Sequence, residues 1–269
     1  MSAEPRNTAL VRALQDRWAF PPPAGRHCSA GEFSFNAPDY PGPRPAFSYA
    51  LHKGRIHPIE FLDSGGPVVD GEELDSWLSN RAGFPLVARV GIAGYGSNLC
   101  PGRLREKGVD AQSPVVIIRS WLVGLAAAYC CGLSEAGYVA GALVRSGDAE
   151  FHGMTFLERG EQLELMDRSE GRKGGYYTMA TLREGKVILE GGHVVDEPIA
   201  YVSGRRGVLC DSSGSPLLMR DCSQSEARKQ ERADRRRDSA ALLSFSVIDG
   251  EPSTATKLRP VADVTIADA

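Results

Sequence analysis

The stretch Gly94-Tyr95-Gly96-Ser97-Asn98-Leu99 joins an apolar run, Val87, Val90, Ile92 and Ala93, to a short polar segment that opens near Pro101. The β-favouring and small apolar residues predict a strand, and two glycines flanking a tyrosine end it with backbone freedom that no other residue type gives. Pro101 suits the first turn of a helix running to about Lys107, with Gly108 as its stop. Strand, glycine-rich turn and helix start leave several N–H groups of residues 95–99 unpaired and facing one way, which suits a carboxylate or a developing oxyanion. The same pattern also describes an ordinary tight connection.

A second candidate lies downstream. Residues 151–157 read as a strand, and 161–168 as a short helix with Leu163, Leu165 and Met166 available to pack. Asp167-Arg168-Ser169-Glu170-Gly171 follows, then Gly174-Gly175-Tyr176-Tyr177. A carboxylate just past a helix end meets the negative pole of the helix dipole, and Tyr176 or Tyr177 would add an apolar surround. Both effects favour its protonated form, as a general base working near neutral pH requires. The alternative for Glu170 is a solvated carboxylate after a helix.

Taken together, Tyr95-Gly-Ser-Asn98, Asp167-x-x-Glu170-Gly171 and the Gly-x-Tyr just beyond resemble the γ-glutamylcyclotransferase-like superfamily. All three parts occur in the right order, and the resemblance covers residues 88–204, under half the chain. It implies that Glu170 is the general base, that Tyr177 is a substrate-side tyrosine, and that Tyr95, Gly96, Ser97, Asn98 and Leu99 hold the glutamyl group. It also implies an α+β fold, a small mixed, mainly antiparallel β-barrel with packed helices, whose Tyr-containing last strand is matched loosely by Ala200-Tyr201. The implied reaction is an intramolecular acyl transfer of the amide-cleaving or lyase type. A γ-glutamyl amine or amide would cyclise to 5-oxoproline and release its amine, with no metal or cofactor required.

The glutathione-specific branch carries Gly-Tyr-Gly-Ser-Leu where this chain has Gly-Tyr-Gly-Ser-Asn, which disfavours glutathione as substrate and leaves the amine open. Removal of a γ-glutamyl protecting group belongs to the same chemistry. Two readings from other classes stand beside it: a non-catalytic small-metabolite binder on the same fold, and a thiol-dependent amidase using Cys100, which lies where a helix start could lower a thiol pKa.

Composition limits the remaining classes. A chain of 269 residues, 42% hydrophobic, can bury a sizeable core, and a formal charge of −3 suggests no nucleic-acid partner. The longest apolar run, 121–131, is too short to span a membrane, and the first residues lack the basic-then-apolar pattern of a signal peptide, so a cytoplasmic protein without a membrane partner is expected. Six cysteines without Cys-x-x-Cys spacing read as free, mostly buried thiols. His52 and His57 have no partner at ligand spacing, so no metal site is expected. Oligomeric state is left open.

The positioning elements divide the chain into an N-terminal extension (1–86), the cyclotransferase-like domain (87–204) and a C-terminal extension (205–269). Asn7 or Thr8 caps a first helix carrying Leu10, Val11, Leu14 and Trp18, ended by Pro21-Pro22-Pro23. Residues 21–45, rich in proline and glycine, are expected to wrap over a surface through Phe33, Phe35 and Tyr40. As a cover over the pocket mouth, the N-terminal extension as a whole would tune which amine fits. Strands are expected at 47–51 and 56–62, and Asp70-Gly-Glu-Glu73 reads as a capping box before a helix with Leu74, Trp77 and Leu78 in the core. Further strands are expected at 115–119 and 121–125, as one long strand or a bent pair, then at 138–144, 176–182, 186–189, 199–202, 244–248 and 261–266. Residues 223–243 suit an exposed, charge-laced helix.

Overall fold

The computed structural model describes residues 28–62, 66–231, 236–253 and 255–260. The expected first helix around Leu10 to Trp18, with its caps and the prolines after it, and the strand at 261–266 lie outside the described residues.

Two 19-residue strands, Val115–Leu133 and Val139–Leu157, form the backbone of the sheet and pair antiparallel along most of their length. Residues 115–125 make one continuous strand with a register shift between Val123 and Leu125, which settles the choice between one long strand and a bent pair. Val90–Gly94 pairs antiparallel with the second long strand, Gly94 facing Gly153, and parallel with Ile199–Ser203. Beyond it come Tyr177–Leu182 and Phe245–Val247, both antiparallel. On the other flank, Tyr49–His52 pairs with residues 115–117 and then with Arg55–Phe61. The strand His193–Asp196, where the sequence predicts none, pairs with Lys186–Leu189.

The expected barrel is not formed. Closure needs the two edge strands to pair, and here the edges are Phe245–Val247 and the two-residue Glu72–Glu73, at opposite ends of the strand order. The far ends of the long strands depart as a ribbon, where Val208–Leu209 and Leu218 pair with residues 128–130. What results is a large, open, mostly antiparallel sheet with few helices.

Alternation along the strands sends residues to two faces. Val116, Ile118, Leu122, Met154 and Phe156 bury on one. Ile92, Leu99, Leu104, Ile117 and Tyr201 bury on the other, where the Glu161–Ser169 helix docks through Leu163 and Met166. Full burial of such side chains contributes about 1.5–3 kcal/mol each, enough to fix where this helix ends and hence where Glu170 begins.

The Leu74–Ala82 helix buries Leu74, Trp77 and Leu78 as expected, but its cap is Glu73, whose carboxylate accepts the Ser76 N–H at 2.9 Å. Asp70, the expected capping residue, instead bonds His57 Nδ1 at 2.8 Å and accepts from the Trp77 indole at 3.2 Å. The charged stretch after residue 223 is helical over Gln224–Glu231, while Arg236 and Arg237 pair with the Val208–Leu209 strand. Its inner face is not solvated: the Gln224 amide accepts the Val139 N–H at 3.0 Å and donates to the Val139 carbonyl at 2.7 Å, taking the place of a strand neighbour. Among the described residues, no helix is long and apolar enough to cross a membrane.

Candidate active site

The strand Val90–Gly94 delivers the glycine turn to the rim of a cavity of about 390 Å³. Tyr95, Gly96, Ser97 and Asn98 line it, together with Glu170, Tyr176 and Tyr177 from the opposite wall. The two sequence candidates, more than seventy positions apart, therefore face one space. After Gly96 the chain makes a single 3₁₀ turn over Ser97–Leu99, with Cys100 N–H returning to the Ser97 carbonyl at 3.0 Å. Among the described residues, the N–H groups of Gly96, Ser97 and Asn98 have no protein acceptor. Three successive unpaired donors beside a cavity are the anion-binding arrangement expected from the turn.

Leu99, read with the loop as a ligand contact, does not line the cavity. Its side chain is buried in the core, and its carbonyl accepts the Tyr49 hydroxyl at 2.9 Å. The Tyr95 ring lines the cavity, but its hydroxyl is used within the protein, on the Tyr201 carbonyl. The Tyr177 hydroxyl likewise donates to the Gly141 carbonyl at 2.5 Å. Burial pushes the Tyr95 and Tyr177 phenols well above the ordinary tyrosine range, so both stay neutral at any working pH.

Glu170 is the C-cap of the Glu161–Ser169 helix, as its position in the sequence suggests. The chain then turns through Gly171 at φ +64°, and a Cβ there would meet Tyr176 Cδ2 at 2.7 Å. Glycine is what lets the turn close tightly on that ring. Tyr176 and Tyr177 share the cavity with the carboxylate as expected, but a cation not expected from the sequence is its direct partner. Lys107 Nζ donates to Glu170 Oε1 at 2.6 Å and to Asn98 Oδ1 at 2.5 Å. The lysine side chain is only 4% exposed, so one nearly buried ammonium ties the base candidate to the glycine loop. Among the described residues, Glu170 Oε2 has no protein donor and remains available to a ligand.

Several cavity residues carried no local sign in the sequence. Lys107 looks like an ordinary basic residue at a helix end, and only its spacing after Asn98 could have drawn attention to it. Tyr40 and Tyr138 stack with ring centroids 4.8 Å apart, and both line the cavity. Arg205 and Arg206 lie over the Tyr176 ring, 3.9 and 4.7 Å from its centroid. Lining cations (Arg103, Lys107, Arg168, Arg206) outnumber lining carboxylates (Glu135, Glu170), which favours an anionic ligand.

Cys100 departs from the thiol reading. It lies outside the cavity lining, is buried, and points its thiol at the Phe33 carbonyl, 3.3 Å away. Burial pushes that thiol up, opposite to the lowering expected from a helix start. Cys100, Cys130, Cys210 and Cys222 are free thiols, and no cluster of three potential metal ligands occurs among the described residues.

No family model and no curated protein matches the chain. Solved structures that resemble it in part include the human uncharacterized protein loc79017, at 18% identity and a TM-score of 0.37 over 44% of this chain and 68% of that one. A gamma-glutamyl cyclotransferase matches at 14% identity and 0.37, over 56% and 89%. YkqA from Bacillus subtilis matches at 12% and 0.35, over 69% and 70%. Likenesses this partial transfer no residue roles.

Proposed function

We propose that this chain is a γ-glutamyl cyclotransferase-like enzyme, cyclising the γ-glutamyl group of a small γ-glutamyl amine or amide to 5-oxoproline. The observation that supports it is the meeting of Glu170, with one carboxylate oxygen free, and three unpaired loop N–H groups around a single cavity. Glu170 takes a proton from the substrate's α-ammonium, and the freed amine attacks the γ-carbonyl carbon. Glu170 returns that proton to the departing nitrogen as the tetrahedral centre collapses and its bond to carbon breaks. The second proton, left on the ring nitrogen by the attack, passes through the regenerated Glu170 carboxylate to the released amine, giving a neutral lactam and an ammonium. Ring closure is intramolecular, so the protein supplies a folded pose, a base and hydrogen-bond donors.

The test is a panel of γ-glutamyl amines and amides assayed for 5-oxoproline release, with Glu170→Gln as control. Turnover by the wild type and a loss of about 10²–10⁴-fold in the variant are expected. Equal rates, or no turnover across the panel, would reject the reading.

One observation favours a second reading. Lys107 occupies Glu170 Oε1, as a purely structural ion pair would, and a non-catalytic binder of small carboxylates would show the same contact. Such a protein would bind 5-oxoproline yet release none from any γ-glutamyl amide.

A further inference from the structure

Tyr40 comes from the N-terminal segment, and its hydroxyl sits between the backbone of Gly96, which lines the cavity, and that of Gly141. A Cβ on Gly96 would meet Tyr40 Oη at 2.5 Å, and one on Gly141 would meet it at 2.8 Å. The oxygen accepts the Gly141 N–H at 2.7 Å. Its own proton has no acceptor among the described residues, although the residue is only 8% exposed and lines the cavity. A buried hydroxyl proton without a partner costs about 1–3 kcal/mol, so its persistence beside the unpaired N–H groups of residues 96–98 calls for an acceptor that arrives from the cavity.

We infer that the Tyr40 hydroxyl is a ligand-binding donor which, with the N–H groups of Gly96, Ser97 and Asn98, cradles the carboxylate of the γ-glutamyl group. A carboxylate offers roughly four acceptor positions to these donors, whereas a carbonyl oxygen offers two. Burial holds the phenol well above its ordinary range, so it donates throughout the working pH range. This assignment rests on the cyclotransferase-like reading for the identity of the ligand, and on the structure alone for the donor.

The experiment compares wild type and Tyr40→Phe for binding of 5-oxoproline and of 2-pyrrolidinone, the same lactam without the carboxylate. The variant keeps the ring stacked on Tyr138 and loses the hydroxyl. Affinity for 5-oxoproline should fall about 10- to 100-fold, as for a hydrogen bond to a charged group, while 2-pyrrolidinone binding stays level. Equal loss for both ligands would show a structural role only, and no loss for either would remove Tyr40 from the site; each overturns the inference. Selective loss of 5-oxoproline binding in a protein that turns over no γ-glutamyl amide would keep the donor and reject the reaction. Failure of the wild type to bind 5-oxoproline would reject both. Should the variant not fold, ¹³Cζ-tyrosine placed at position 40 of the wild type gives the readout, its resonance moving with 5-oxoproline and not with 2-pyrrolidinone; a static resonance overturns the inference.

Discussion

At the scale of single residues, the Lys107–Glu170 pair is the contact with the largest expected consequence. Both side chains are nearly buried, at 4% and 13% exposure, so removing one leaves the other charged and out of water. Lys107→Met should therefore destabilise the protein by about 3–5 kcal/mol, and the double variant Lys107→Met/Glu170→Gln should recover part of that loss. Denaturant unfolding of the four proteins checks it, and additive losses would show that the two side chains do not depend on each other. Gly96 carries a related expectation. Because a methyl group there would collide with Tyr40 Oη, Gly96→Ala should displace the ring and weaken 5-oxoproline binding at least about tenfold, read by calorimetry. The glycine turn and Glu170 were legible because each sits at a boundary that local chemistry marks, a strand end and a helix end. The partners of Lys107 and Tyr40 were not. Lys107 is 63 positions from Glu170 and Tyr40 is 101 from Gly141, and no local pattern encodes such pairings.

At the scale of elements, the Glu161–Ser169 helix and the turn after it set the aim of the carboxylate. Leu163 and Met166 fix the helix on the sheet, and Gly171 in the left-handed region turns the chain toward Tyr176. Gly171→Ala would face both the unfavourable φ and a collision with that ring. It should cost at least about 1–2 kcal/mol of stability and lower turnover, measured by thermal unfolding and by the 5-oxoproline assay. Elements with strong periodicity or clear punctuation, such as the helix at 161 and the strand at 90, were readable from the chain. The cap of the Leu74–Ala82 helix was misplaced because Asp70 and Glu73 are both competent acceptors. Only the position of His57 and Trp77 decides which of them is drawn away.

At the scale of the whole molecule, the open sheet was not legible. Whether a sheet closes depends on how its edges meet, and the two edges here come from residues 72–73 and 245–247, both outside the stretch that carried the motifs. The pair of long strands also houses a buried polar pair with a predictable pH response. His152 Nε2 bonds Glu150 Oε2 at 3.0 Å, and Glu150 also accepts the Ala127 N–H at 2.8 Å. Burial pushes His152 below the ordinary histidine range. The native state keeps it neutral while the unfolded chain takes up a proton below about pH 6.5, so stability should fall as pH drops through that value. For Glu150 burial works upward, but the His152 and Ala127 hydrogen bonds and the nearby Arg220 outweigh it, and the net direction is down. That contribution persists above the ordinary carboxylate range and is lost only below about pH 4. Urea midpoints between pH 8 and 5 should decline, and His152→Gln should flatten the decline; a flat wild-type profile would remove the pair from the account.

Gly141 carries a consequence of its own. Its N–H goes to Tyr40 and its carbonyl receives Tyr177, so one residue fastens the segment that carries Tyr40 to the wall that follows Glu170. Under the proposed function, variation among residues near 40 would therefore reshape which compounds the cavity admits. Retargeting such a scaffold would begin at that joint, with Tyr40 itself kept.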